Sequence, residues 1–346
     1  MSLNPFVRAL SLVGFNEFAS RQGLNPTEML RHASLPQESL RRQEGILSYR
    51  RYCALLAMSE RRSGNALFGL QYGLYQSVSV FGDLFYLIRN TRTVGDALTE
   101  LRANYSLYNG AAEVGLDTEG DLAILSYRVD ERDIPGLCQA EELACSVGMQ
   151  LMRTLVGTGW QPRAIRLRHL ALRDESAYLQ TLGFLPTFAA AYTGLEFDSS
   201  VLSLPLSSAD ETLHGLFSEH MEKMERLSVG EMPGYVKQLL RDLLPGGRAT
   251  IEKVADCMAF NLRTLQRRLA QEGTSFQQLL DETRQEMARS YLEDPSISMA
   301  QMSGLLGYSD PSGFSRAFNR WFDVSPLGWQ KKHGTKRQPR LLRSPT

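Results

Sequence analysis

The segment YSDPSGFSRAFNRW, residues 308–321, combines a tight-turn signal with the start of a short helix. Its first half contains SDPSG, made of residue types that favour turns. Phe314 and Phe318 then recur at helical spacing, whereas Arg316 and Arg320 lie off this apolar stripe. The segment therefore predicts a helix that buries one side in a core and turns arginine outward.

An earlier part of the chain repeats this organisation. Thr250 and Ser298 are suitable caps for a first short helix in each repeat, and Gln301 completes a capping box with Ser298. A tight turn then leads to a second helix, apolar on one side and arginine-bearing on the other. In a helix-turn-helix unit the first helix braces the second, which lies in a major groove about 12 Å wide. The sequence predicts two such units, at about residues 250–271 and 298–322.

The segment between the repeats, residues 275–296, has the periodicity of one long amphipathic helix that Pro295 stops. A rigid helix of this kind holds two units at a constant separation. Neighbouring major grooves on one face of DNA lie about 34 Å apart, so the two second helices are expected to enter successive grooves. Two units in tandem are a more specific signal for DNA binding than one alone.

Length and charge divide the chain into two parts. With 346 residues it exceeds the size of most single cores. The formal net charge is zero, but residues 234–346 carry 17 Lys and Arg against 11 Asp and Glu, and residues 1–233 carry 21 against 27. A basic part beside an acidic part indicates that the basic part faces a polyanion. The predicted organisation is a first domain over residues 1–228, a linker over 229–233, a DNA-binding domain over 234–334, and a basic, disordered tail over 335–346.

The first domain has the mixed pattern of an α+β fold. Helical periodicity runs through residues 49–62 and 93–108, with Thr93 as the N-cap of the second helix. Alternating residues over 112–130 predict a β-hairpin, and residues 164–206 predict a β-α-β unit of strand, helix and strand. The second domain, in contrast, is predicted to be all α.

Neither a membrane segment nor a catalytic motif stands out in the sequence. The first twenty residues predict an amphipathic helix rather than a signal peptide, and no apolar run of about 18 residues is present. The motifs GxxxxGK[ST], HExxH, GxSxG and GxGxxG after a strand do not occur, and the five histidines lack ligand-like partners. We therefore predict a protein that is not an enzyme and that holds no metal or cofactor.

Residues 234–333 resemble the DNA-binding domain of the AraC/XylS family of bacterial transcription regulators. The most specific matches are RTLQRRL (263–269), GTSFQQLLDETR (273–284) and GYSDPSGFSRAFNRWFDVSP (307–326). The preceding part resembles the arabinose-binding-like sensing domain of one branch of that family, through residues 81–109 and 182–206. Together the resemblance covers nearly the whole chain.

The resemblance implies a set of DNA-contacting residues. In the first unit Arg263, Gln266 and Arg267 match positions that face base edges, and Arg and Gln pair well with guanine and adenine. In the second unit these positions are held by Ser312 and Arg316. Pro311 is expected at the DNA-facing end of the second helix. The backbone amides at the helix starts are expected to face phosphates, at Asn261 in the first unit and at Ser309 and Asp310 in the second. Arg268 and Arg320 are expected to touch phosphate or solvent, or to pair with acidic neighbours.

The sequence departs from the family pattern at two positions. Ala259 stands where a turn glycine is usual, and Gly304 lies inside a bracing helix, where glycine costs about 1 kcal/mol relative to alanine.

The expected function is that of a sequence-specific transcription regulator, an activator or a repressor, in the cytoplasm and associated with the nucleoid. Its expected partners are double-stranded promoter DNA, RNA polymerase, a second copy in a homodimer, and a small-molecule effector bound to the first domain. Two alternatives stay open for that domain. The first alternative is that this domain is an enzyme or carrier that the second domain localises on DNA. The second alternative is that it binds no small molecule and serves only dimerisation or protein contacts.

Overall fold

The computed structural model describes residues 6–40, 45–131, 133–226, 232–258, 260, 262–294, 296–326 and 328–329. Its backbone contacts divide the chain into two compact units. The first comprises Met1–Tyr235 and Asp256–Asn261, and the second comprises Val236–Ala255 and Leu262–Thr346. Each unit is described separately.

Two small antiparallel sheets lie in the first unit. The strands are β1 (Phe6–Arg8), β2 (Ile46–Ser48), β3 (Ala112–Glu119), β4 (Leu122–Val129), β5 (Ala164–Arg166) and β6 (Thr193–Asp198). β1 pairs with β2, and the other four strands are ordered β3-β4-β6-β5. The predicted hairpin is confirmed as β3 and β4, joined at Gly120, whose φ of 62° is a conformation that glycine adopts without strain.

The other long elements of the described chain are α-helices. They are α1 (Phe15–Arg21), α2 (Pro26–His32), α3 (Tyr49–Ser63), α4 (Phe68–Gln76), α5 (Asp83–Arg89), α6 (Val94–Asn104), α7 (Leu137–Val156), α8 (Glu175–Leu182), α9 (Glu211–Arg226), α10 (Met232–Leu243), α11 (Ile251–Cys257), α12 (Leu262–Gln271), α13 (Phe276–Glu293), α14 (Met299–Leu305) and α15 (Pro311–Phe322). The predicted α+β and all-α parts are therefore confirmed. Thr93 caps α6 as predicted, because its hydroxyl accepts from the amide of Asp96 at 3.1 Å.

The predicted helix at the start of the chain is wrong. Phe6–Arg8 forms β1 because it pairs with β2, a segment some forty residues later that local periodicity does not reveal. A 3-10 helix over Ala9–Leu12 follows, and α1 begins only after Gly14, whose φ of 73° interrupts any continuous helix. Residues 1–5 lie outside the described chain.

The predicted β-α-β unit is present as β5, α8 and β6, but its strands are antiparallel neighbours. It is therefore not the parallel crossover that this pattern commonly forms. The second strand also ends before residue 206, where the predicted unit ends. It ends at Asp198, whose carboxylate accepts from the amide of Ser200 at 2.9 Å and starts a 3-10 helix over Ser199–Ser203.

The buried helix α7 crosses α4 at very short range. A Cβ at Gly73 would lie 2.5 Å from the carbonyl oxygen of Leu143, and one at Gly69 would lie 2.1 Å from that of Gln139. The side chain of Gln139 also bridges the helices, accepting from the amide of Gly69 at 2.6 Å and donating to the carbonyl of Ala66 at 2.8 Å. Two glycines thus allow α7 to lie at the centre of the first unit.

Candidate DNA-binding helices and a cavity in the first unit

The second helix-turn-helix pair consists of α14 and α15. Ser298 and Gln301 form the predicted capping box at the start of α14. Gly307 supplies the turn with a φ of 71°. Phe314 and Phe318 then anchor α15 in a core that also contains Met302 and Leu306 from the first helix and turn and Ala288 from α13. The turn and the aromatic anchors together orient α15, as the sequence predicts.

Arg284 on α13 holds this turn in place. Its Nε donates to the carbonyl oxygen of Leu306 at 3.0 Å, and its guanidinium carbon lies 4.3 Å from the ring centroid of Tyr308. A planar guanidinium suits both contacts, since it can donate hydrogen bonds and stack on an aromatic ring. The sequence gives no signal for this role, because the partner atoms lie more than twenty residues away.

The outer side of α15 carries Ser312 and Arg316, and both side chains are exposed. Arg320 behaves differently, because it forms an ion pair with Asp281 on α13, which also accepts from Nε1 of Trp321 at 3.3 Å. Within the described chain, Arg316 has no carboxylate at ion-pair distance. Arg316 is therefore the more available cation on this helix.

A carboxylate caps the start of α15, next to the phosphate contacts expected at Ser309 and Asp310, which stay a prediction. The carboxylate of Asp310 accepts from the amides of Ser312 and Gly313, at 2.8 and 2.9 Å, and also from the hydroxyl of Ser312. These hydrogen bonds lower the pKa of Asp310, led by the one from the Ser312 side chain. The amides are thus occupied by a fixed anion, which repels phosphate. Ser309 is exposed in the preceding turn, and the side chain of Pro311 lies outside the described chain.

The first helix-turn-helix pair consists of α11 and α12. Thr250 caps α11 by accepting from the amide of Lys253 at 3.2 Å. Leu265 and Leu269 are fully buried on the inner side of α12. Arg263, Gln266 and Arg267 are exposed on it, and Arg268 is half-buried. The turn residues Ala259 and Asn261 lie outside the described chain, so the turn departure at Ala259 and the phosphate contact at Asn261 stay predictions.

Leu262 shares the helical spacing of the buried Leu265 and Leu269, yet 38% of this residue is exposed. Leu262 is the first residue of α12. A helical side chain covers the turn that precedes its own Cα, and the first residue has no such turn beneath it.

Acidic residues of α13 form ion pairs with basic residues of α10. Lys237 of α10 lies 2.8 Å from Glu282 and 3.1 Å from Glu286, and Arg241 lies 2.8 Å from Glu286. These pairs use cations that lie away from α12 and α15. Within the described residues, Arg263 and Arg267 of α12 have no carboxylate at ion-pair distance, and the same holds for Arg316 of α15, although the charge of Asp310 acts on Arg316.

A mainly apolar cavity of about 100 Å³ lies in the first unit. Its walls come from β1, β4, β6 and α7, with aromatic side chains in between. Tyr49 and Tyr127 join their hydroxyls at 2.9 Å, and the side-chain amide of Asn109 donates to Tyr127 at 3.2 Å. Aromatic walls with a few oriented polar groups are typical of small-molecule sites.

A buried polar cluster that sequence reasoning missed surrounds Glu142 on α7. The Glu142 side chain is fully buried and accepts from the hydroxyl of Tyr178 at 2.5 Å. His169 lies 3.8 Å away, and the neighbouring Glu141 pairs with Arg168 at 3.3 Å. Two adjacent glutamates in a helical pattern gave the only available hint. Burial raises the pKa of Glu142 to about 8.

The unfolded chain releases the Glu142 proton above the usual glutamate pKa of 4.5, whereas folded Glu142 retains it, so the free energy of unfolding should fall as pH rises from there to about 8. The slope is at most about 1.4 kcal/mol per pH unit, and it declines between pH 7 and 8 as folded Glu142 itself ionises. The loss is complete above a pH of about 8. Burial lowers the pKa of His169, so the His169 ring is neutral between pH 7 and 8.

Chemical denaturation from pH 6.5 to 9 measures this effect. The free energy of unfolding of Glu142→Gln should depend less steeply on pH than that of the parent. The exposed Glu175→Gln is the control, and equal slopes for parent and Glu142→Gln would contradict the assignment.

The comparisons with known proteins identify both units. Residues 23–206 match the family described as the arabinose-binding domain of AraC transcription regulator, N-terminal, and residues 254–332 match a helix-turn-helix domain. The chain belongs to the AraC family of transcription regulators. It is a transcriptional regulator with a helix-turn-helix DNA-binding domain and an arabinose-binding-like domain, and it is not an enzyme.

Several relatives match over most of their length. The chain is 28% identical to the HTH-type transcriptional regulator VirS of Mycobacterium tuberculosis, over 96% of this chain and 99% of that protein. It is 26% identical to the ornithine utilization regulator of Pseudomonas aeruginosa, over 91% and 93%. The crystal structure of the transcriptional regulator CdpR from Pseudomonas aeruginosa aligns over 93% of this chain and 98% of that chain, with 20% identity and a TM-score of 0.46. No helix among the described residues is long and apolar enough to cross a membrane.

Proposed function

We propose that this regulator binds promoter DNA in the cytoplasm through α12 and α15, and that an effector in its first domain controls this binding. The observation that carries the proposal is the pair of exposed arginine faces on helices whose other sides are buried. Arg263 and Arg267 face outward beside buried Leu265, and Arg316 does so beside buried Phe318. Such faces suit the bases and phosphates of a major groove.

The proposed division of labour follows the sequence boundaries. The sensing and dimerisation domain covers residues 1–228, and the DNA-binding domain covers 234–334. Base contacts are assigned to Arg263, Gln266 and Arg267 in the first helix-turn-helix pair, and to Arg316 with Ser312 in the second pair. Arg268 is assigned to phosphate, whereas Arg320 is assigned a smaller share because Asp281 already pairs with it. Homodimerisation and contact with RNA polymerase belong to the same proposal.

Genome-wide mapping of bound DNA, followed by fluorescence anisotropy on the recovered sites, tests the DNA-binding part. The full-length protein should bind a recovered site far more tightly than a scrambled duplex. Equal affinity for both duplexes would refute sequence-specific regulation.

Replacing Arg267 or Arg316 with alanine should weaken binding to the recovered site by about 1–3 kcal/mol, roughly 5- to 150-fold. The reason is the loss of a bidentate donor to a base. Arg320→Ala should have a smaller effect because its guanidinium is already engaged by Asp281. The exposed Arg61→Ala in the first unit is the matched control. If Arg320→Ala costs more than both other variants, the assignment on α15 is wrong.

A second candidate role for the first domain is assembly without a ligand. Helix α9 leaves 42% of Leu213 and 58% of Leu216 exposed, which favours a protein contact on this helix. The cavity favours ligand binding instead. The two roles are separated by whether any small molecule binds the cavity.

A further inference from the structure

Among the described residues that line the cavity of the first unit, Arg8 is the one charged residue. It ends β1, and its Nε donates to the carbonyl oxygen of Leu107 at 2.7 Å. Its guanidinium carbon lies 5.5 Å from the ring centroid of Tyr108. These two contacts hold the side chain in one orientation and leave both terminal nitrogens without a hydrogen-bond partner among the described residues.

No carboxylate of the described chain forms an ion pair with Arg8. The acid whose charge acts on it is Asp83, which lies beyond ion-pair distance of Arg8 and has Nε2 of His220 3.2 Å from its own carboxylate. Burial lowers the pKa of Arg8, as expected for a desolvated cation, yet a guanidinium stays charged under all physiological conditions. A half-buried cation without an anion beside it is costly, and a bound anion would offset this cost.

The rest of the wall carries no second charge. Burial raises the pKa values of Tyr49 and Tyr127 well above their usual range, so both hydroxyls are neutral. These hydroxyls already bond to each other, and Asn109 donates to one of them. The remaining surface is formed mainly by aliphatic and aromatic side chains. The wall therefore offers one anion position and an apolar space.

The volume limits the size of an occupant. About 100 Å³ corresponds to room for roughly seven to ten water-sized groups. Amines are disfavoured, because no carboxylate is found among the described lining residues. Sugars are disfavoured as well, because their many hydroxyls would lose water against an aliphatic and aromatic wall.

We propose that the cavity binds a small monocarboxylic acid with an aliphatic or aromatic body, whose carboxylate pairs with the terminal nitrogens of Arg8. The body of the acid lies among the tyrosines and the inner face of α7. This assignment rests on the proposed function, since it names the class of effector that the first domain senses. Recognition combines a charge-assisted hydrogen-bonded pair with apolar burial.

The test is calorimetric titration of the full-length protein with benzoate and hexanoate, each compared with its neutral amide. The acids should bind, and the amides should bind at least tenfold more weakly because they lack the anion. Arg8→Gln should lose at least tenfold in affinity for the acids. The control is Arg21→Gln, since Arg21 also stacks on a tyrosine, with its guanidinium carbon 5.2 Å from the centroid of Tyr75, but does not line the cavity.

A second variant covers the possibility that Arg8→Gln fails to fold. Ala144→Leu fills the cavity from α7 and keeps Arg8, so it should block the acids while its circular dichroism and melting behaviour stay close to the parent. Amides that bind as well as acids, or unchanged affinity in both variants, would overturn the proposal. Absence of binding by both acids at millimolar concentration would overturn it too.

Anisotropy on a recovered DNA site in the same samples separates this proposal from the proposed function. If the acids bind but leave DNA affinity unchanged, the ligand class is supported and effector control is refuted. If DNA binding is sequence-specific but neither acid binds, the regulator assignment is supported and the carboxylate assignment is refuted.

Discussion

Replacing Phe318 with alanine is expected to destabilise the second helix-turn-helix unit by about 3–5 kcal/mol. Phe318 is fully buried at the centre of this unit. Its ring centroid lies 5.6 Å from that of Phe314, 4.7 Å from that of Phe322 and 6.2 Å from that of Trp329. Truncation removes all three ring contacts and leaves a cavity. The loss is comparable to the whole stability of a small domain, so DNA binding should fall with it.

Chemical denaturation of the full-length protein measures this effect, with anisotropy on a recovered site as the second readout. Leu262→Ala is the control, because this exposed leucine should change the free energy of unfolding by less than about 0.5 kcal/mol. The first unit should unfold as in the parent. A Phe318→Ala variant that keeps parental stability and parental DNA affinity would show that this core does not support α15.

The affinity for a recovered DNA site should fall by about a thousandfold between 50 and 200 mM salt. This estimate assumes about six phosphate contacts, each of which releases a condensed counterion. The physical source is the exposed arginine on α12 and α15 that forms no ion pair within the described chain, whereas Asp281, Glu282 and Glu286 of α13 are already paired.

Anisotropy titrations at four or more salt concentrations give the slope of log affinity against log salt. Arg61→Ala in the first unit should leave this slope unchanged, and Arg268→Ala should reduce its magnitude by about one if it neutralises a phosphate. A flat salt dependence would mean that the exposed arginines do not meet the DNA backbone.

Local signals predicted the parts of the fold that are built locally. Capping at Thr93, Thr250 and Ser298 was readable because each cap and its partner lie three residues apart. The β3–β4 hairpin was readable because its strands are separated only by a short turn at Gly120. Burial of Leu265 and Phe318 followed from helical spacing.

Features that depend on distant segments were not predictable. Pairing of β1 with β2 turned an expected helix into a strand, and Arg8 meets a carbonyl 99 residues further along the chain. Glu142 acquires its environment from Tyr178 and His169 only after the chain has folded back on α7. The sequence also showed which residues flank the turn before α15. It did not show that the carboxylate of Asp310 would accept from the amides of Ser312 and Gly313.

The close crossing of α4 and α7 has a mechanical consequence. With Gly69 and Gly73 pressed against the backbone of α7, the two helices cannot slide past each other without a steric clash. The two helices should move as one rigid body, so a ligand beside α7 cannot be accommodated by a shift of that helix alone. The side of the cavity that can yield is then β1, a three-residue strand held by its pairing with β2 and by backbone hydrogen bonds to Tyr108 and Gly110. A signal from the cavity would leave through β1, on which Arg8 lies.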